Sequence, residues 1–427
     1  MSELKDKKVC VIGMGYVGLP LAAVCAKKGY AVTGFDTDKA KLEIIAQGKS
    51  PFHEKFLEDL LPQVKINVTS DPAGIKDHDI YLICVPTPVD EEHNPDLKYV
   101  ILASESVAQN MKKGALVVLE STVNPGVSEE AVAPIFEKAG YVIGQDVFIS
   151  HCPERVNPGD PKWNVSNIPR VVGSFDEKGL VMTKEFYESV VDAEIMPMDS
   201  IREAEAVKIM ENSFRDINIA FVNEMAMSFA RMDIDITNVI RGASTKPYAF
   251  MAHNPGCGVG GHCIPVDPYY MIQKGKENNF EHKFLSSARL INDGMADYTV
   301  ELLQDRMNEA GKAVKGSKVG VLGISYKGNV GDLRESPALR IIEKIKVLEP
   351  ELLTYDPYIP EFSTVRNLDE ILSKSEAIVI VTDHKEFKNI PVEDFVKNGI
   401  KVIIDGRNCL DKKAIRETGI IYAGIGR

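Results

Sequence analysis

Cys263 and Asp267 stand four residues apart at the end of a glycine-rich run, Gly256-Cys257-Gly258-Val259-Gly260-Gly261-His262-Cys263-Ile264-Pro265-Val266-Asp267. A cysteine is more often a small buried hydrophobe than a nucleophile, and Cys10, Cys84 and Cys25, set within apolar segments, fit that ordinary role. Cys263 departs from it, because glycines at 256, 258, 260 and 261 let backbone come close to a ligand and a carboxylate follows. His262 would lower the thiol pKa if its ring faced the sulfur. Asp267, with Pro268 behind it, also reads as the first residue of a helix, and the two roles can coexist. Such a thiol can hold an aldehyde as a thiohemiacetal, let it be oxidised to a thioester, and release a carboxylate on hydrolysis.

A second group of polar residues lies upstream. Ser200-Ile201-Arg202-Glu203 has the spacing of a capping box, and a helical stretch runs from there to about Met232 without a breaker. Lys208, Asn212 and Arg215 fall at i, i+4 and i+7 and share one face, while Val207, Met210, Phe214, Ile217 and Phe221 make the helix otherwise apolar. The plain alternative is a solvated outer face. Glu154, between Pro153 and Arg155, is either a surface ion pair or a carboxylate placed to activate water; Cys152 beside it lacks a glycine setting.

These groups need elements to carry them. Val9-Cys10-Val11-Ile12 is a short buried strand, followed by Gly13-Met14-Gly15-Tyr16-Val17-Gly18, an apolar helical segment, and a second strand, Ala31 to Phe35, that ends in Asp36. Strand, glycine turn, helix, strand and acid come in the order of a dinucleotide-binding unit, with the pyrophosphate expected at the helix N-terminus and Asp36 on the ribose hydroxyls, which favours NAD over NADP. Ile80 to Val85 is the next strand and ends in the stiff loop Pro86-Thr87-Pro88. Leu116 to Leu119 runs into Glu120-Ser121-Thr122-Val123, and Val147 to Ser150 runs into His151-Cys152-Pro153-Glu154-Arg155, so three strand ends deliver polar residues to one edge. From Lys318 the pattern returns in weaker form: Lys318 to Gly323, Leu353 to Asp356, Ala377 to Val381 and Val402 to Ile404 are strands, without a full GxGxxG. The expected class is α/β, with two Rossmann-like doubly wound domains joined by a long central helix and helical region. The domains are placed at 1–198 (NAD-binding), 199–312 (central, helical, dimerising, with the cysteine loop) and 313–427.

A chain of 427 residues is long enough for two or three cores. No apolar run reaches the roughly 18 residues of a membrane span, and residues 1–8 lack a signal-peptide pattern, so a soluble, cytoplasmic protein with no membrane partner is expected. Seven cysteines without CxxC spacing argue against a disulfide framework and against a metal site. A net charge of −12 disfavours nucleic acid as a partner.

Together, Gly13-x-Gly15-Tyr16-Val17-Gly18, Val85-Pro86-Thr87-Pro88, Glu120-Ser121-Thr122-Val123, Pro153-Glu154-Arg155, Lys208 with Asn212, Gly260-Gly261-x-Cys263-x-x-x-Asp267, and Lys327 with Gly331-Asp332-x-Arg334-Glu335-Ser336 resemble the UDP-sugar 6-dehydrogenases, in the family's order from Val9 to about Arg407. The resemblance implies a four-electron oxidation of a sugar C6 hydroxyl to a carboxylate with two NAD and water. It implies Cys263 as thiol nucleophile, Lys208 as the cation at the oxyanion, Asn212 as its hydrogen-bonding companion, Asp267 as the group assisting proton removal through a water, Glu154 as base for thioester hydrolysis, and Thr122 as a water-positioning hydroxyl. Gly13, Gly15, Tyr16, Val17, Gly18, Asp36, Pro86, Thr87, Thr122 and Arg334 are then the expected cofactor contacts. Glu154, Arg155, Val156, Lys208, Asn212, Arg215, Gly260, Lys327 and Arg407 are the expected substrate contacts. The C-terminal Rossmann-like domain becomes the binder of the UDP-sugar.

UDP-glucose enzymes of that family usually carry serine before the nucleophile and lysine before the aspartate. Here His262 and Val266 stand instead, followed by Pro268-Tyr269-Tyr270. With Pro153-Glu154-Arg155-Val156-Asn157-Pro158-Gly159 and Asn212-Ser213-Phe214-Arg215, this is similar to the N-acetylhexosamine branch, UDP-ManNAc or UDP-GlcNAc. UDP-glucose oxidation, a two-electron dehydrogenase of the 6-phosphogluconate type and a non-catalytic NAD- and UDP-sugar-binding protein are the alternatives. The resemblance also implies surface-polysaccharide precursor synthesis, and the length of the apolar helix suggests a homodimer or higher homo-oligomer.

Overall fold

The computed structural model describes residues 6–52, 54–90, 94–156, 162–261 and 263–427. His262 and the Asn157-Pro158-Gly159 segment lie outside the described residues. The chain divides into two compact units, Met1–Glu211 with Tyr269–Phe280, and Asn212–Pro268 with Glu281–Arg427.

Among the described residues the first unit is built on eight strands: β1 (Lys8–Ile12), β2 (Ala31–Phe35), β3 (Asn67–Thr69), β4 (Ile80–Ile83), β5 (Ala115–Leu119), β6 (Val147–His151), β7 (Arg170–Ser174) and β8 (Ile195–Pro197), in the order β3-β2-β1-β4-β5-β6-β7-β8. Apolar runs without alternation are what a sheet covered on both faces demands. Val9 and Val11 of β1, with Leu82 of β4 and Val118 of β5, enter one core, while Cys10, Ile12, Ile83 and Leu119 enter the core on the other face. Burying each such side chain contributes roughly 1.5–3 kcal/mol relative to exposure. The order reverses between β1 and β4, the switch point outside whose carboxyl ends ligands bind in open α/β sheets. All neighbours are parallel except β6 and β7, which pair antiparallel at Ser150 with Ser174 and His151 with Gly173.

Among the described residues the second unit repeats the scheme with five parallel strands, β9 (Lys318–Leu322), β10 (Glu351–Tyr355), β11 (Ala377–Ile380), β12 (Val402–Asp405) and β13 (Ile421–Gly424), in the order β10-β9-β11-β12-β13. The helix Lys283–Glu309 packs with this sheet's core through Ala296, Val300, Leu303 and Met307.

The spine helix runs from Ile201 to Ala230. Its start has the reciprocal cap expected from the sequence: Glu203 N–H donates to Ser200 Oγ, and Ser200 N–H donates to Glu203 Oε2, each at 3.2 Å. Its apolar residues divide, with Ile209, Ala220, Val222 and Ala226 buried and others facing out. Met210, Phe214 and Phe221 are exposed, whereas Glu205, Lys208, Asn212, Asp216 and Asn223 are buried. Arg215, nominally on the Lys208 and Asn212 face, is exposed. Among the described residues no helix is long and apolar enough to cross a membrane.

Candidate active site

In the first unit, Gly13 leaves β1 at φ +91°, a conformation that L side chains rarely adopt, and a Cβ there would come within 2.7 Å of the Cys84 carbonyl oxygen. A Cβ on Gly18 would lie 1.9 Å from the Gly13 carbonyl oxygen, so turn and helix touch through bare backbone. Gly15 is different, since a Cβ there meets nothing within 4 Å. The space over the helix N-terminus is therefore open to a phosphate group. Asp36 accepts from the N–H of Met14 and Asp38, each at 2.9 Å, and from Lys41 Nζ at 2.8 Å. Burial works to raise its pKa, but Lys41 and the two backbone donors outweigh it and hold the carboxyl below its ordinary value. The glycine cradle and the ionised acid fit an NAD molecule. Tyr16 stacks on Phe52 with ring centroids 4.1 Å apart. Thr87 is buried, its carbonyl accepting from the Tyr270 hydroxyl, and Pro86 beside it is exposed.

Thr122 is half-buried at the end of β5, and the loop after it is tied to the spine helix by Glu205, which accepts from Gly126 N–H at 2.6 Å and Ser128 N–H at 2.8 Å. Glu154, at the end of β6, is buried and is not a surface partner of Arg155. The Arg155 guanidinium goes to Glu211 and to the Pro169 carbonyl. Oε1 of Glu154 accepts from the N–H of Arg155 and of Val156, each at 2.6 Å, and Oε2 accepts from Arg170 Nη2 at 3.1 Å. Lys208 is buried on the spine helix, one turn before Asn212. Cys10, Cys25, Cys84 and Cys152 are buried, and burial raises all four thiols, Cys152 to about 12.

In the second unit Cys263 is exposed, and its carbonyl accepts from Val266 N–H at 3.1 Å and Asp267 N–H at 2.8 Å. That tight turn puts Asp267, 3% exposed, at the first position of the helix Asp267–Glu277. Asn212 Nδ2 donates to Asp267 Oδ2 at 2.5 Å. The glycines before the thiol serve close packing. A Cβ on Gly260 would meet Tyr326 Cβ at 2.6 Å, the Glu335 carbonyl at 2.8 Å and Pro337 Cδ at 2.9 Å, and one on Gly258 would meet Pro337 Cβ at 2.9 Å. The cysteine loop is seated backbone-first on the 326–337 segment, and Gly261 N–H donates to the Arg334 carbonyl at 2.9 Å. Its start is pinned too, by Gly256 N–H to Asn223 Oδ1 at 3.0 Å and Cys257 N–H to the Gly406 carbonyl at 3.0 Å.

Arg407 donates through Nε to the Val381 carbonyl at 2.7 Å and through Nη2 to the Tyr326 carbonyl at 3.3 Å, which anchors its head at the carboxyl end of the second sheet. Lys327, half-buried, lies in the turn beside Tyr326. Arg334 is exposed and forks onto Asp332, with Nη2 at 2.6 Å. Asp356 ends β10 as Asp36 ends β2, but its Oδ2 takes four internal donors: the N–H of Ile324 and Ser325, the Ser325 hydroxyl, and His384 Nε2 at 3.0 Å. His384 Nδ1 accepts from Asn329 N–H, so the proton on Nε2 points at Asp356. Burial opposes the charge, yet His384 and the backbone donors hold this carboxyl far below its ordinary value. The second unit has a glycine turn and a terminal acid, with the acid consumed by its own fold.

Sequence reasoning missed Arg170, Tyr187, Glu205 and His384. For Arg170 a signal existed, an arginine heading the apolar run Val171-Val172.

Three consecutive family models match the chain: the NAD binding domain (residues 7–191), the central domain (202–294) and the UDP binding domain (320–412) of the UDP-glucose/GDP-mannose dehydrogenase family. The chain is 36% identical over 425 residues to the UDP-N-acetyl-D-mannosamine dehydrogenase of Pyrococcus horikoshii, covering 98% of this chain and 99% of that one. It is 35% identical over 403 residues to the UDP-N-acetyl-D-glucosamine 6-dehydrogenase of Pseudomonas aeruginosa, covering 93% and 95%. A solved structure of the UDP-D-ManNAc dehydrogenase of Pyrococcus horikoshii superposes with a TM-score of 0.92 at 36% identity, covering 98% and 99%.

Proposed function

The chain belongs to the UDP-glucose/GDP-mannose dehydrogenase family, an oxidoreductase with NAD as cofactor, and we propose that it carries the C6 hydroxyl of a UDP-N-acetylhexosamine, UDP-ManNAc or UDP-GlcNAc, through four-electron oxidation to the uronate. The balance is R–CH2OH + 2 NAD+ + H2O → R–COO− + 2 NADH + 3 H+. The observation that carries this reading is an exposed thiol, Cys263, one tight turn from a buried carboxylate, Asp267, that Asn212 holds by hydrogen bond. A two-electron alcohol dehydrogenase needs no such thiol.

Bound NAD supplies the hydride acceptor for both oxidations, and the glycine cradle with Tyr16, Val17, Asp36, Pro86, Thr87 and Thr122 would hold it. Asp267 assists removal of the C6 hydroxyl proton through a water. The Cys263 sulfur then bonds to the aldehyde carbon, with the oxyanion stabilised by the Lys208 ammonium and the Asn212 amide. After the second oxidation leaves a thioester, Glu154 takes a proton from a water positioned by Thr122. Its oxygen bonds to the carbonyl carbon, the C–S bond breaks, and the thiol is regenerated. Lys327 and Arg407 are assigned to the UDP-sugar, with Arg155, Val156, Arg215 and Gly260, and Arg334 to the cofactor. We further assign the parts 1–198, 199–312 and 313–427 to cofactor, dimerisation with the cysteine loop, and UDP-sugar. The protein is read as a cytoplasmic homodimer or higher homo-oligomer that supplies a polysaccharide precursor.

The test is NADH formed per UDP-sugar consumed, with UDP-GlcNAc, UDP-ManNAc and UDP-glucose supplied separately and NAD in excess. Two NADH per acetamido sugar is expected. Two from UDP-glucose alone overturns the substrate, and one per sugar overturns the thioester route.

A further inference from the structure

Behind Glu154 lies a charged cluster, Arg170 with Glu120 and Tyr187, to which the assigned steps give no role. Arg170 is 1% exposed and forks between two carboxylates: Nη1 reaches Glu120 at 3.0 and 3.1 Å, and Nη2 reaches Glu154 at 3.1 Å. The Tyr187 hydroxyl donates to Glu120 Oε1, and its ring lies 5.2 Å from the guanidinium carbon. Arg170 Nη1 also reaches Cys152 Sγ at 3.6 Å.

The topology explains the meeting. β5 pairs Leu119 with His151, so Glu120 continues that register opposite Cys152. β6 and β7 pair antiparallel, and extending their register past His151 and Gly173 by three places sets Glu154 opposite Arg170. A parallel strand at that place would carry its first residue to the far edge of the sheet. The single reversal brings a cation to the edge where Glu154 sits.

We propose that Arg170, shared between Glu120 and Glu154 and held by Tyr187, is a positioning residue for thioester hydrolysis, and that the charge on Glu120 sets how basic Glu154 is. The proposal rests on the reading of Glu154 as hydrolytic base. Two carboxylates bearing on one guanidinium out of water cannot both keep full charge cheaply. Glu154 has two further N–H donors, so Glu120 is the member that takes up a proton. Burial pushes Glu120 up to about 7, Arg170 pulls the other way, and Glu154 adds to the rise. The other titratable groups acting on Glu120 are Tyr187 from the helix Glu177–Val190, Cys152 after β6, Cys84 after β4 and Cys25 of the helix Gly18–Lys27, all raised by burial and neutral near pH 7. Above the Glu120 transition its carboxylate draws on Arg170, and Glu154 is the stronger base. Below it the guanidinium belongs to Glu154 alone and weakens it.

The experiment follows a single turnover of the full-length enzyme with NAD in excess and the sugar that gives two NADH, from pH 5.5 to 9. NADH formation is read by absorbance and the acyl adduct on Cys263 by intact mass. In the wild-type protein adduct decay should rise with pH through a limb near 7. Glu120→Gln keeps one acceptor oxygen, at the Oε1 position shared by Arg170 and Tyr187, but replaces the other with an NH2 group and removes the charge. Adduct decay should slow about three- to ten-fold and lose the limb, with both NADH-forming steps within two-fold of wild type. Tyr187→Phe removes a donor that stabilises the Glu120 carboxylate, and the limb should move to higher pH. If both variants keep wild-type decay and limb while Glu154→Gln stalls with adduct bound, the cluster has no part in hydrolysis and the proposal falls, with Glu154 still the base. Equal slowing of all steps in Glu120→Gln with a lower Tm overturns it in favour of a packing role. Turnover without adduct in Glu154→Gln removes the premise itself, and the proposal with it.

Discussion

Gly260→Ala separates the two purposes a glycine before the thiol could serve. The added methyl would lie 2.6 Å from Tyr326 Cβ, 2.8 Å from the Glu335 carbonyl oxygen and 2.9 Å from Pro337 Cδ, where ordinary contacts begin at 3.4 Å. Two of the three neighbours are a backbone carbonyl and a proline ring, and the third is the stiff root of a tyrosine, so no flexible tip can swing away. Overpacking of this kind costs about 1–3 kcal/mol. For a unit of roughly 200 residues each kcal/mol lowers Tm by about 2–4 °C, so a cost of about 2 kcal/mol corresponds to about 4–8 °C. Gly294, inside the helix Lys283–Glu309, has nothing within 4 Å of its Cβ position. Gly294→Ala should hold or raise Tm, because alanine is favoured over glycine in a helix interior by about 0.5–1 kcal/mol. Thermal unfolding followed by circular dichroism, with and without UDP, reads both. An unchanged Tm in Gly260→Ala together with a raised KM for the UDP-sugar would refute the packing argument and leave close ligand approach as the reason for the glycine.

Two further outcomes bear on the chemistry and the assembly. Cys263→Ser should leave NAD binding intact by fluorescence titration and abolish net oxidation to the uronate, since a hydroxyl is a poorer nucleophile and leaving group than a thiol; wild-type steady turnover would sink the thioester route. Met210, Phe214 and Phe221 are 73%, 49% and 53% exposed on the spine helix, a row of large apolar side chains that a second copy would cover. Sedimentation at micromolar concentration should show a dimer that Phe214→Asp with Phe221→Asp dissociates, and a wild-type monomer would contradict it.

The parts of the molecule legible from the chain are those whose causes are local. Continuous apolar runs at 9–12, 80–83 and 116–119 must be strands covered on both faces, and the Gly13 turn needs a φ that few other residues adopt. The capping box at Ser200 and the acid at the end of β2 are settled within a few residues. The strands β3, β7, β8 and β13 are not legible in this way. β3 and β8 have three residues each, and in β7 (Arg170-Val171-Val172-Gly173-Ser174) and β13 (Ile421-Tyr422-Ala423-Gly424) charge, hydroxyl or glycine interrupts the apolar run, so pairing with neighbours far along the chain makes them strands.

Periodicity located the stripe of Lys208 and Asn212 on the spine helix but not its inward direction. An apolar pattern says that a face will be covered, not by what, and here the polar face turns in while Phe214 and Phe221 turn out. Asp36 and Asp356 look alike in sequence, yet Asp356 is fully buried with His384, 28 residues on, against its Oδ2, whereas Asp36 is only partly buried and pairs with Lys41. For Glu154 the sequence left a surface ion pair with Arg155 open beside a water-activating role, and the antiparallel run of β7, which puts Arg170 opposite it, removes the first. The sequence by itself determined the residue types, the glycine turns, the strands with long apolar runs and the family they spell. Only the tertiary structure decided which charges share a buried cluster, because that depends on strand order and register, which no local spacing encodes.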